Sequence, residues 1–105
     1  MAAEITQDQL FEAMEGIQTE FPYITFAVQG RHSGQILGFD LAPKQVIILQ
    51  SVVDVDAQLE ITAHDSRGSR VGLLYLKRSP DARRNTVETS RDSGVFNDMA
   101  WGKAG

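Results

Sequence analysis

The hydrophobic period of this chain changes at Pro22, and this change constrains the fold more than any other feature of the sequence. Before it, apolar side chains recur at the spacing of one helix face, at Leu10, Met14, Ile17 and Phe21. After it, apolar side chains occupy every second position, as in strands. The residue before a proline disfavours helical backbone, so Pro22 ends the helix. The sequence therefore predicts an N-terminal helix followed by a sheet.

The start of this helix carries its own signals. Thr6 followed by Gln9 has the spacing of a capping box, in which each residue satisfies an N–H group of the other. Ile5 and Leu10 stand at the two positions of a hydrophobic staple. These signals predict that the helix begins just after Thr6.

Five segments with strand character follow, and we expect them to form an antiparallel meander of about five strands. They are residues 23–31, 35–42, 45–52, 58–64 and 71–78. A turn centred on Ser33 and Gly34 would place Phe26 opposite Leu41 and Val28 opposite Phe39.

The last hairpin is predicted in the same way. A turn centred on Arg67 and Gly68 would place Ile61 opposite Leu74 and Leu59 opposite Leu76. Between the third and fourth strands the apolar positions change from even to odd numbers, so the chain must turn or bulge there. We prefer a turn around residues 53–56, although a short helix through residues 51–59 also fits.

The composition changes after Arg78. Ser79, Pro80 and Asp81 are typical of a helix start, and the polar residues after them predict a helix that ends near Gly94. The fold class that we expect is α+β, with a core domain over residues 1–78. Residues 79–105 would then form a helical or extended segment that docks on the sheet or on a partner subunit.

One sheet face is left without a cover in this interpretation. The helix shields only one side of the meander, yet the opposite side, called the reverse face below, also carries large apolar residues. These are Tyr23, Ile36, Ile47, Leu49, Leu73 and Tyr75. Two interpretations stay open: Phe96 and Trp101 of the C-terminal segment cover this face, or a second protein surface packs on it.

Charge is distributed unevenly along the chain. Residues 1–60 hold nine acidic and two basic groups, a net charge of −7, whereas residues 61–105 hold five acidic and eight basic groups, a net charge of +3. The basic residues form one candidate partner-binding cluster of Arg67, Arg70, Lys77, Arg78, Arg83 and Arg84. An overall charge of −4 argues against a general nucleic-acid-binding protein, which is usually strongly basic.

The sequence contains few candidates for catalysis or metal binding. Asp54, Asp56 and Glu60 lack the spacing of a calcium loop. His32 and His64 lie in predicted turns without the pattern of a zinc site. The glycines form no phosphate-binding loop. We therefore assign no catalytic, metal-binding or cofactor-binding residue.

The sequence also supports an expectation for the compartment and a hypothesis for the function. The chain has no cysteine, no signal-peptide pattern at its start and no apolar run of the roughly 20 residues that span a bilayer, so we expect a cytoplasmic protein. Our hypothesis is a non-catalytic protein-interaction module, homodimeric, that uses the reverse face and the basic cluster. The alternative is a small-molecule-binding domain or minor enzyme with a pocket between helix and sheet.

Overall fold

The computed structural model describes residues 2–52, 58–89 and 94–98. These residues form six strands, β1 Ala2–Ile5, β2 Thr25–Gly30, β3 Ile36–Leu41, β4 Gln58–His64, β5 Arg70–Lys77 and β6 Asn85–Thr89. They also form the α-helices α1 Gln7–Glu20 and α2 Pro43–Val52, and the short 3₁₀-helices Ala82–Arg84 and Gly94–Asp98. The predicted α+β class is confirmed, with six strands instead of about five.

The six strands form one antiparallel sheet in the order β1-β6-β5-β4-β2-β3. The order differs from a simple meander because α2 carries the chain from β3 past β2 to β4. Strands β1 and β3 are therefore the two edges of the described sheet. The core lies between the sheet and the two α-helices, which contact each other.

Helix α1 has the predicted start and the predicted apolar face. The Thr6 side chain accepts a hydrogen bond from the Gln9 backbone at 3.1 Å, and the Gln9 side chain accepts one from the Thr6 backbone at 2.7 Å. This reciprocal pair is the capping box. The buried residues of the helix are Leu10, Met14 and Ile17, which are three members of the predicted stripe.

Residues 45–52, predicted as the third strand, belong instead to helix α2. Pro43 stands at the first position of the helix, where a missing N–H group costs nothing. Gln45 satisfies the Ala42 N–H group with its side-chain oxygen at 2.8 Å. Ile47, predicted on the reverse face, is 8% exposed in the core beside Val46, because the helix packs on the other side of the sheet.

The predicted pairing is confirmed for one hairpin and partly for the other. In β4 and β5, Ile61 pairs with Leu74, and Leu59 with Leu76, as expected. In β2 and β3, Phe26 pairs with Leu41, but irregularities in the register place Gly38 instead of Phe39 opposite Val28. Asp40 has a φ of 55°, a left-handed backbone conformation that accompanies this bulged stretch.

The helix predicted from Ser79 does not form over the described residues 79–89, and the extended alternative for the C-terminal segment is found there instead. Within the described residues this segment contains only the short 3₁₀-helix Ala82–Arg84, which is followed by strand β6. The residue that caps this 3₁₀-helix is Asp81, not Ser79. Asn85, at the start of β6, is 1% exposed, and its side-chain oxygen accepts the Ser79 N–H group at 3.0 Å.

Phe96 closes the core on the helix side of the sheet. Its side chain is 0% exposed, and its ring centroid lies 6.2 Å from that of Phe26. The prediction that Phe96 covers the reverse face is therefore wrong, because Phe26 belongs to the core side. Trp101, the second residue predicted to cover that face, lies outside the described residues.

Candidate functional site

The reverse face is more polar than the sequence predicted. Alternation along the strands places on it the half-exposed side chains of Thr25, Gln29, Glu60, Thr62 and Thr86. Leu73 points to this face but is 4% exposed, and Tyr75 is half-buried. Of the apolar residues that the sequence assigned to this face, Ile36 is 66% exposed and Tyr23 is 55% exposed.

A polar cleft, called the Arg31 cleft below, lies on this face where four elements meet. Arg31 follows β2 directly, and its guanidinium carbon lies 3.9 Å from the centroid of the Tyr75 ring. Its Nη1 atom donates to Gln58 Oε1 at 3.2 Å and lies 3.8 Å from Glu88 Oε2. The cleft has a volume of about 150 Å³ and is also lined by Leu76, Lys77 and Thr86.

Strand register explains why these side chains meet. Glu88 pairs with Tyr75, so their side chains lie on the same face of neighbouring strands. Arg31 donates its backbone N–H group to Gln58 at 3.0 Å, which places Arg31 beside the first residue of β4. A guanidinium over an aromatic ring is an attractive arrangement, worth about 0.5–1 kcal/mol at an exposed site.

Large apolar side chains are exposed at the edge strand β3 and the neighbouring helix α2. Ile36 is 66% exposed, Phe39 69% and Ile48 50%. Leu49 packs over Gly38, since a Cβ atom built on that glycine would lie 2.9 Å from Leu49 Cδ1. Phe39 and Ile48 are the chain neighbours of these two residues, so their backbones lie where α2 packs on β3. We call Ile36, Phe39 and Ile48 the β3–α2 patch.

The predicted basic cluster is divided between the two ends of β5. Arg67 lies in the β4–β5 turn and Arg70 begins β5, whereas Arg78, Arg83 and Arg84 follow its other end. A strand of eight residues is about 25 Å long, so these groups do not form one surface. Within the turn, Asp65 accepts the N–H groups of Arg67 and Ser69, a local role that explains its position there.

The remaining titratable candidates have structural partners. The pKa of Asp81 lies below its ordinary value because its carboxylate accepts the backbone N–H group of Arg83. His64 contacts Thr62 and the Gly68 carbonyl, while His32 contacts Gln58 near the opposite end of β4. In the described part of the chain, no three His, Cys, Asp or Glu side chains are close enough to share a metal ion.

The residues that were predicted to bind a partner have different surroundings. Ile47 and Phe96 are in the core, Leu49 is partly buried on α2, and Leu73 is buried. Ile36 is exposed, as is Tyr23 of the predicted reverse face. Asp54 and Asp56, considered above as carboxylate ligands, lie outside the described residues, as Trp101 does.

Sequence reasoning missed Arg31, Phe39 and Ile48 as candidate residues. Phe39 was assigned to the core by alternation, but Gly38 before it and Asp40 after it are residues that tolerate bulges and left-handed backbone. Gly38 and Asp40 were therefore the signal in the sequence that Phe39 could lie outside the regular alternation. For Arg31 no local signal existed, because its ring partner is far away in the sequence.

Within the described residues, neither α-helix has the length and apolarity that a membrane span requires. Comparison of the chain with protein-family models, with curated proteins and with solved structures finds no match.

Proposed function

We propose that the protein is a non-catalytic protein-interaction module that pairs with a second copy of itself through the β3–α2 patch. The observation that supports this proposal is the exposure of three large apolar side chains around one edge of the sheet, with Phe39 at 69%. Burying one such side chain contributes roughly 1.5–3 kcal/mol. Adjoining exposed apolar residues are typical of surfaces that bind another protein.

A second copy fits this edge for a geometric reason. Strand β3 pairs only with β2 among the described strands, so its outer edge is available for another strand. Antiparallel pairing about a two-fold axis near Phe39 would place α2 of both copies on the same side of a continuous sheet.

The β3–α2 patch shares only Ile36 with the surface that the sequence predicted. On the reverse face Leu73 is buried and Tyr75 lies under the Arg31 guanidinium, so both are less accessible than Phe39. The irregular pairing between β2 and β3 shortens the regular part of the edge. We therefore expect the side chains of the patch to contribute more than backbone hydrogen bonds.

Light scattering on the full chain tests the proposal. We expect the mass of a dimer at micromolar concentrations, and we expect Phe39→Arg to raise the dissociation constant at least about tenfold, as for a central apolar contact. Tyr75→Arg and the α1 surface variant Glu12→Arg should leave the mass unchanged. A monomer at every concentration up to about 1 mM, or a dimer that Tyr75→Arg disrupts and Phe39→Arg does not, would refute it.

A further inference from the structure

The Arg31 side chain is held in one orientation by contacts from three strands. Tyr75 of β5 supports the flat guanidinium group at 3.9 Å. Gln58 of β4 and Glu88 of β6 both approach the same nitrogen, Nη1, at 3.2 and 3.8 Å. Because arginine otherwise has many rotamers, a guanidinium that is already oriented loses less entropy when it binds a ligand.

One edge of this guanidinium has no partner among the described residues. The hydrogen bond and the ion pair of Arg31 both use Nη1, and no described acceptor lies on Nε or Nη2. These two atoms carry parallel N–H groups at a spacing that matches the two oxygens of a carboxylate. The oriented group is therefore available for a bidentate contact.

The remaining lining of the cleft indicates the charge and size of a ligand. Arg31 and Lys77 contribute two positive charges and Glu88 one negative charge, so the net charge of the lining is +1. This charge suits a monoanion better than a dianion. A cleft of about 150 Å³ is small, since one water molecule in the liquid takes about 30 Å³. Such a space holds a molecule of a few heavy atoms.

We propose that the Arg31 cleft binds a small monocarboxylate, with the carboxylate on the Nε–Nη2 edge of Arg31 and Lys77 as the second cation. Glu88 limits affinity, because its negative charge lies near the same guanidinium. This site is on the reverse face and does not depend on the proposed pairing through β3. It also differs from the pocket between helix and sheet that the sequence suggested as an alternative.

Nuclear magnetic resonance on the ¹⁵N-labelled full chain tests this proposal. We expect the Arg31 Nε–H signal to shift saturably when acetate or propionate replaces chloride at constant ionic strength. Inorganic phosphate should bind more weakly. Arg31→Lys should weaken acetate binding about tenfold, because lysine keeps the charge but loses the bidentate edge.

Two further variants change the affinity in opposite directions. Lys77→Ala should weaken acetate binding about two- to fivefold, and Glu88→Gln should strengthen it by a similar factor, as expected for exposed charges. Lys44→Ala, which removes an exposed lysine from α2, is the matched control and should leave the affinity unchanged. The absence of a saturable shift, an equal affinity in Arg31→Lys, or tighter binding of phosphate than of acetate would overturn the proposal.

Discussion

At the scale of single residues, Gly94 is the glycine, among those that the structure describes, whose surroundings most strictly exclude a side chain. It has a φ of 59°, and a Cβ atom there would lie 1.7 Å from the backbone oxygen of Val71. We expect Gly94→Ala to lower the free energy of unfolding by roughly 2–4 kcal/mol, because the left-handed backbone and the collision both oppose a side chain. Urea denaturation followed by circular dichroism measures this change.

Gly16 provides the matched control for that substitution. It lies within α1, and a Cβ atom built on it meets no atom within 4 Å apart from its chain neighbours and the backbone of its own helix. Gly16→Ala should therefore raise the free energy of unfolding by up to about 1 kcal/mol, the usual gain for alanine over glycine in a helix. Equal effects of the two substitutions would contradict the described packing of Gly94 against β5.

Asp81 supports a prediction about pH. The backbone N–H group of Arg83 is the largest cause that lowers its pKa below the ordinary value of 3.8, and the Arg83 charge contributes less. A lowered carboxylate pKa stabilises the folded state above the ordinary pKa, and this contribution is lost as the pH falls through the folded-state value. We expect a titration by nuclear magnetic resonance to show that the Asp81 pKa stays below 3.8 in Arg83→Ala, because the backbone N–H group of residue 83 remains. A return to 3.8 in that variant would instead assign the effect to the side-chain charge.

At the scale of elements, the sequence predicted long periodic segments well and short or tertiary-dependent ones poorly. Helix α1 and the β4–β5 hairpin have unambiguous periods, and both were predicted correctly. Helix α2 contains several β-branched residues, and its helical form depends on Pro43, on the Gln45 cap and on burial against the sheet. Local propensity cannot report such tertiary contacts.

The edges of the sheet and the candidate sites were harder to predict for the same reason. Strand β1 has only four residues, too few for a reliable period, and β6 was interpreted as a polar helix despite Thr86 and Val87. Tyr75 was predicted to contact a partner, but in the structure the Arg31 side chain covers its ring. This contact depends on the order of the strands in the sheet. Strand order arises from the α2 connection, which the sequence did not predict.

Phe96 gives a prediction for the element that closes the core. The 3₁₀-helix Gly94–Asp98 contacts β5, and Phe96 is fully buried beside Phe26. Phe96→Ala should lower the free energy of unfolding by about 3–5 kcal/mol, because it removes a buried ring and leaves a cavity.

The same substitution at Phe39 is the control. Phe39 is 69% exposed, so at concentrations where the chain is monomeric Phe39→Ala should change the free energy of unfolding by no more than about 0.5 kcal/mol. Chemical denaturation of both variants in parallel separates the two environments. A small effect of Phe96→Ala would show that the segment does not close the core in solution.

At the scale of the whole molecule, the fold leaves its central strands protected and its edges accessible. Strands β2, β4 and β5 pair on both sides and carry the fully buried residues Phe26, Ile61 and Leu74. Strands β1 and β3 each pair on one side within the described sheet. Both α-helices pack on one face, so opening of an edge strand leaves most of the core intact. Local stability should therefore decrease from β4 towards the edges.

Hydrogen exchange tests this gradient and the proposed pairing together. At low protein concentration we expect the amides of β4 to exchange slowest and those of β3 among the fastest, because β3 is an edge with irregular pairing. If β3 pairs with a second copy, its protection rises with protein concentration, since binding stabilises the bound state by mass action. The protection of β1, at the opposite edge, stays constant and serves as the internal control. If protection from exchange rose equally in β1 and β3, the cause would be global stabilisation. If it rose in neither strand, β3 would not lie in an interface between copies.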